Sequence, residues 1–321
     1  MSPLAFRITK YLIIFVIFFS VVDQGIYWLG RVLLSPKDYP VKDFIFSKIQ
    51  TSSSQDAFII GSCRGVVGIN PTIVNEGAGI TSFNACRVSS LLATHLMTLN
   101  LILSYHRPKY IFFVVDDGNW MTSFESEQQD IERHLLWFPL LKKEYQDQLV
   151  NLFKIPSWKL YSGLYINKGK AWEVLKNIKY HLEGRPDSFK TYSTQTALRD
   201  WLKQHPSAPV DIQSLSSTAI CDTILKQVIE NCLAVNVIPV LVTVPMYHLR
   251  TSDEAVDWQH HRIKQLATYY GIPYFFYLDN HSDYAKNDLF WHDVGHMNAS
   301  GSVKFSREFS KDLAKYLHHQ K

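Results

Sequence analysis

Cysteine is scarce: the 321-residue chain contains four, too few for a disulfide-built scaffold. No CxxC pair and no Cys/His cluster occurs, so nothing suggests a structural zinc site. Charge is also sparse, at 19% of residues with a net of +4. Residues 1–50 hold six Lys/Arg against three Asp/Glu, and the rest of the chain 27 against 26. The body of the protein is therefore nearly neutral, which argues against the broad basic face that nucleic acid requires. No internal repeat is evident. What the chain has is apolar bulk, 46% hydrophobic and 14% aromatic. That is too much for a disordered protein and enough for one large domain or two small ones.

Residues 11–22 read YLIIFVIFFSVV, an apolar run interrupted only by Ser20. A spanning helix needs about 20 largely apolar residues, and residues 11–30 reach that length if Asp23 and Gln24 are accommodated. A cleaved signal peptide would want a small-x-small site after the run, and DQGIYW offers none. Residues 1–34 therefore read as an uncleaved signal anchor, with Tyr27 and Trp28 near one interface. Arg7 and Lys10 precede the span, while Arg31, Lys37, Lys42 and Lys48 follow it, so flanking charge does not decide the orientation. Two positions are open for Asp23. It sits at the interface, or it faces a partner membrane protein, since intramembrane acids seldom face lipid.

Residues 35–55, with Pro, Lys and a Ser/Thr cluster, read as a tether. Beyond it, apolar runs alternate with helical patterns. Strands are expected at 56–61, 81–85, 109–116, 237–244 and 273–278. Helices are expected at 88–105, 218–235, 254–270 and 300–319, the last with Ser300 as N-cap. Continuous apolar strands with intervening helices imply a parallel sheet covered on both faces, a three-layer α/β/α arrangement. Ligands bind such sheets at the carboxyl ends of the strands. Residues 120–215 break the rhythm, with helices expected at 126–153 and 171–183. They read as an insertion or cap on a single domain covering 56–321.

Two blocks carry chemistry. In FIIGSCRGVVGINP (58–71), a buried strand ends at Gly61, and Ser62, Cys63 and Arg64 emerge at its carboxyl end. Cys63 sits where a nucleophile is useful, although a small buried cysteine is also common. In FWHDVGHMNASG (290–301), Asp293 and His296 are three apart, a spacing that lets the carboxylate orient the imidazole. The alternative is a solvated turn whose histidine is incidental. His292 and His296 are also spaced as metal ligands are, but no third ligand is evident, and no metal is expected.

Together the blocks resemble the SGNH (GDSL-like) esterase and acyltransferase family over residues 55–120 and 215–320. Gly61-Ser62-Cys63-Arg64 is similar to the Gly-Ser-Ser-Arg variant of membrane-anchored members, and Gly68-Ile69-Asn70-Pro71 resembles the stretch that follows it. Asp293-Val294-Gly295-His296-Met297-Asn298 resembles the family's last block. The resemblance implies a flavodoxin-like three-layer fold, no cofactor, and a Cys63, His296, Asp293 triad. The family's nucleophile is Ser, so Cys63 is a departure, and Ser62, one residue early, is a poor substitute. A Cys–His pair remains chemically competent when the thiol pKa is lowered. The resemblance assigns the oxyanion hole to the amide of Arg64, to Cys86 (in Asn84-Ala85-Cys86, where the family has Gly) and to Asn119. Asp116 and Asp117 read as capping or structural.

Two functions follow from the resemblance. One is acyl transfer to or from a cell-envelope glycan or polymer, beside a membrane-bound O-acyltransferase, with the domain on the periplasmic or extracellular side. The other is an inactive scaffold that binds glycan or holds such a partner. Lipid contact comes through the N-terminal helix in either case. Cys63 and Cys86 follow the first and second expected strands; if those strands are neighbours, a disulfide that blocks the thiol is open. Cys221 and Cys232, eleven apart on one helix, read as core.

Overall fold

Five short runs rich in branched and aromatic residues supply the strands: β1 (Ala57–Ile60), β2 (Ser82–Asn84), β3 (Tyr110–Val114), β4 (Ile238–Thr243) and β5 (Tyr274–Phe276). Each lies inside a run expected to be a strand. All pair in parallel, in the order β2-β1-β3-β4-β5. The computed structural model describes residues 3–33, 44–116, 122–166, 219–247, 253–279 and 282–319.

The helices, in chain order, are α1 (Pro3–Leu33), α2 (Phe44–Thr51), α3 (Cys63–Gly68), α4 (Pro71–Ala78), α5 (Leu92–Tyr105), α6 (Phe124–Glu132), α7 (Lys143–Phe153), α8 (Ser157–Tyr161), α9 (Gly163–Ile166), α10 (Ala219–Leu233), α11 (Asp253–Tyr270), α12 (Asp283–Lys286) and α13 (Ala299–His319). Strand residues alternate between two cores, as the strand period of two requires. Phe58, Ile60, Ile111, Phe113 and Leu241 pack with α2, α5 and α10. Ala57, Ile59, Phe112, Val114 and Val242 pack with α4 and α13. The result is the three-layer α/β/α architecture expected from the sequence. The chain leaves β1 toward β2 and returns past it to β3, so a crevice opens beyond the carboxyl ends of β1 and β3.

Several expectations need correction. Residues 44–51, inside the stretch read as a tether, form α2, with Phe46 and Ile49 fully buried. Apolar residues at helical spacing outweighed the linker-like Pro and Ser around them. The single helix expected at 126–153 is broken: α6 ends at Glu132, and a 3-10 turn at Leu135–Leu140 contains Pro139. Proline lacks an N–H and clashes with the preceding turn. The described part of the insertion packs behind α5, and its carboxylates finish that helix. Asp130 accepts from the Leu91 amide at 3.0 Å, and Glu127 from that of Ala93 at 2.7 Å. Leu91, the N-cap residue of α5, has no side chain able to do this. The N-cap of α13 is Asn298, whose Oδ1 accepts from the Gly301 amide at 3.0 Å, rather than Ser300. The expected helix at 171–183 lies outside the described residues.

Among the described residues, one helix is long and apolar enough to cross a membrane, with the span at Ala5–Trp28 and a mean hydropathy of 2.0. Asp23 turns its carboxylate to another part of the same chain. It is only 8% exposed, and its partners are the chain's own Ser162, Gly163 and Leu164.

Phe112, in the central strand, is fully buried and meets the Phe309 ring edge-on at 5.7 Å. Phe112→Ala should lower unfolding free energy by about 3–5 kcal/mol, read from urea titration of the detergent-solubilised protein. A loss below about 1 kcal/mol would mean that this core relaxes to fill the cavity.

Candidate active site

Gly61 closes β1 with φ of +151°, and a side chain there would bring a Cβ within 2.7 Å of Val114 Cβ. Only glycine permits this turn without strain. The turn lets Ser62 cap α3: its Oγ accepts from the Arg64 amide at 3.3 Å and donates to Asp116 Oδ2. Cys63 is therefore the first residue of a helix that starts at the crevice.

The distant block reaches Cys63 because α13 is fastened to α3 and α4. Ser306 Oγ accepts from the Asn70 amide at 2.8 Å and donates to the Gly68 carbonyl at 3.3 Å. Asn70 caps α4 through the Thr72 amide, with Pro71 at the first helical position. The loop before α13 is held by Trp291, fully buried, which donates through Nε1 to the Tyr284 carbonyl at 2.7 Å. Asn298 donates to the Leu289 carbonyl at 2.8 Å.

On this frame His296 Nε2 lies 3.0 Å from Cys63 Sγ, and Nδ1 lies 2.9 Å from both carboxylate oxygens of Asp293. Asp293 is itself fixed by the Gly295 amide at 2.8 Å. The residues are 233 apart in sequence. Burial pushes the Cys63 thiol up, but the hydrogen bond and charge of His296 outweigh it and bring the thiol below its usual value. Burial disfavours the charged imidazole, yet Asp293 and Cys63 together raise His296 to about 9. Burial also pushes Asp293 up, and the His296 hydrogen bond and charge bring it below the usual carboxylate range. The arrangement favours a thiolate–imidazolium pair. Imidazole and carboxylate are each about a quarter exposed, so the pair opens to solvent.

The oxyanion candidates fare differently. The Arg64 amide already donates to Ser62, and the Cys86 amide to Asn84 Oδ1 at 3.0 Å. Asn84 is occupied in turn, giving its side-chain amide to the carbonyls of Gly65 and Ile69, each at 2.9 Å. Neither backbone donor is presented to a substrate in this arrangement. The charge of Arg64 also helps lower the Cys63 thiol. Asn119 lies outside the described residues, as does Asp117. No disulfide joins Cys63 to Cys86, and Cys221 and Cys232 form none either. Burial pushes the Cys86 thiol well above its usual value, with Asp116 and Cys63 adding to the effect. Cys221 and Cys232 are buried in the core, as their helix placement suggested. The described residues contain no group of three or more metal-ligating side chains.

Sequence reasoning underrated Asp116. It is 6% exposed at the end of β3, bonded to the residue before Cys63, and its charge acts on both Cys63 and Cys86. Its place directly after the strand beside β1 was the available signal.

Fold and site define a three-layer α/β protein with a Cys–His–carboxylate constellation at the crevice of a 2-1-3-4-5 parallel sheet. No family model matches the chain, and no curated protein matches it. Among solved structures, a crystal structure from Bacteroides fragilis, described only provisionally as an acylhydrolase, is similar at 11% identity and a TM-score of 0.40. The alignment covers 88% of this chain and 99% of that one.

Proposed function

We propose that the chain is a membrane-anchored acyl-transfer enzyme, an esterase or acyltransferase of the SGNH-like type, with Cys63 as nucleophile. The supporting observation is the 3.0 Å approach of His296 Nε2 to Cys63 Sγ, with Nδ1 on Asp293. In this reading the Cys63 thiolate attacks an ester carbonyl. The tetrahedral intermediate collapses, the C–O bond breaks, and the leaving alcohol takes the proton from His296 Nε2. The acyl group then rests on Cys63 as a thioester. An acceptor hydroxyl, or water, gives its proton to Nε2 and attacks that thioester, which releases the thiolate. Asp293 holds the ring and stabilises its charged form throughout.

With the amides of Arg64 and Cys86 engaged, Asn119 is the remaining candidate among those three for meeting the oxyanion. The expected acceptor is a hydroxyl of a cell-envelope glycan or polymer, with the domain on the periplasmic or extracellular side and a membrane-bound O-acyltransferase as neighbour. The engaged amides favour a second reading, a scaffold of the same fold that binds glycan or holds that partner without turnover. Brief exposure to an activated acyl ester, followed by peptide mass spectrometry, separates the two. Acyl-transfer chemistry leaves the added acyl mass on the Cys63 peptide of wild type and little on that of His296→Ala. A scaffold shows equal, slow labelling in both.

A further inference from the structure

The C-terminal end of the α1 span is bound to the short helices α8 and α9. Asp23 Oδ1 accepts from Ser162 Oγ at 3.0 Å and from the Leu164 amide at 2.8 Å, and Oδ2 accepts from the Gly163 amide at 3.1 Å. Gln24 Nε2 donates to the Tyr161 carbonyl at 2.8 Å. Gly163 lies against α1 so closely that a Cβ there would collide with the backbone of Asp23 and Tyr27. A segment bound to Asp23 shares its membrane depth. Asp23 lies five residues before Trp28, the end of the apolar span, or about 7.5 Å along the helix axis. The headgroup region on each side of the hydrocarbon is about that thick.

What α8 and α9 present at that depth is apolar and aromatic. Trp158 is 59% exposed, Tyr161 69% and Leu164 40%. Their polar neighbours turn inward: Lys159 pairs with Glu132 at 2.6 Å, and the Tyr165 hydroxyl donates to the same carboxylate. The Trp158 ring packs edge-on against Tyr165 at 5.1 Å. The segment is thereby fixed to α6, and through α6 to the body of the domain. Exposed Trp and Tyr beside a hydrophobic span match the interfacial belt of membrane proteins, where amphipathic rings sit among lipid headgroups.

We propose that Ser157–Ile166 forms a lipid-binding foot: Trp158, Tyr161 and Leu164 insert into the bilayer interface beside α1 and hold the Cys63 site at a set height over the membrane. The occupant is phospholipid, argued from continuity with the span and from the depth that Asp23 imposes. The inference rests on α1 crossing the bilayer and is independent of the chemistry at Cys63.

The test reconstitutes the full-length protein in phosphatidylcholine vesicles, with and without bromine on the acyl chains. Subtracting the emission of Trp158→Phe from that of wild type isolates Trp158, and Trp28→Phe isolates Trp28 in the same way. Both substitutions keep an aromatic ring at an exposed position. The Trp158 signal should lose on the order of half its intensity or more in brominated vesicles, as the Trp28 signal does. If Trp28 is quenched and Trp158 is not, the proposal fails. A red-shifted Trp158 would then place it in water, and a blue-shifted one against a protein surface. If neither is quenched, α1 is outside the bilayer and the foot falls with it. No readout passes through Cys63, so each of these failures leaves the acyl-transfer chemistry standing, and only the last removes its membrane anchor.

Discussion

His296→Ala should slow turnover of an activated ester by about 10³–10⁴-fold, with Cys63→Ala reducing it at least as far. His296 carries two jobs that alanine cannot do. In the proposed reaction it holds Cys63 as thiolate, and it gives the leaving alcohol its proton. A positioned acid–base group contributes about 10²–10⁴-fold on its own, and loss of thiolate adds to that. Asp293→Asn should cost less, about 10²-fold, since the amide still meets Nδ1 but no longer supports the imidazolium. Steady-state assay with an aryl ester checks all three. Rates within about threefold of wild type for both His296→Ala and Cys63→Ala would mean the constellation carries no chemistry.

The pH profile has a definite sign. The folded His296 pKa stands at about 9, above the ordinary value near 6.5, and Cys63 lies below its own ordinary value. The thiolate–imidazolium pair therefore persists between the lowered Cys63 pKa and pH of about 9. Activity should rise as pH climbs through the Cys63 ionisation. It should then fall as pH passes about 9, because the neutral ring cannot protonate the leaving group. These limbs belong to the coupled pair rather than to either residue. Asp293→Asn removes the nearest support for the charged ring, so the alkaline limb should move toward lower pH while the thiol also becomes harder to ionise. An alkaline limb that stays in place in this variant would show that Asp293 does not set the charge on His296.

Much of the fold was readable because its signals are local. A strand buried on both faces must be largely apolar, and the stretches AFII, YIFFVV and IPVLV are. The Gly61-to-Arg64 and Asp293-to-His296 blocks were also readable, since each packs a turn and its candidate side chains into a few residues. Long-range pairings were not. Nothing in residues 11–30 says that Asp23 will find the amides of 163 and 164, because a carboxylate's partner depends on which backbone is brought to it. The same holds for Glu127 and Asp130, acids in a polar stretch that serve as the missing cap of α5. The engagement of the Arg64 and Cys86 amides was hidden for a related reason. A motif places an amide in sequence, but whether Asn84 or Ser62 takes it is a matter of side-chain geometry.

The amino-acid sequence alone determined the class of architecture, the apolar N-terminal span and the two blocks of reactive residues, since periodicity, turn chemistry and residue type act within a few positions of one another. Tertiary structure alone decided that Cys63 and His296 meet, that Asp116 stands behind them, and that the span grips α9. Each of these depends on the crossing of strands and the docking of α13, which bring together residues whose separation along the chain carries no trace of their distance in space.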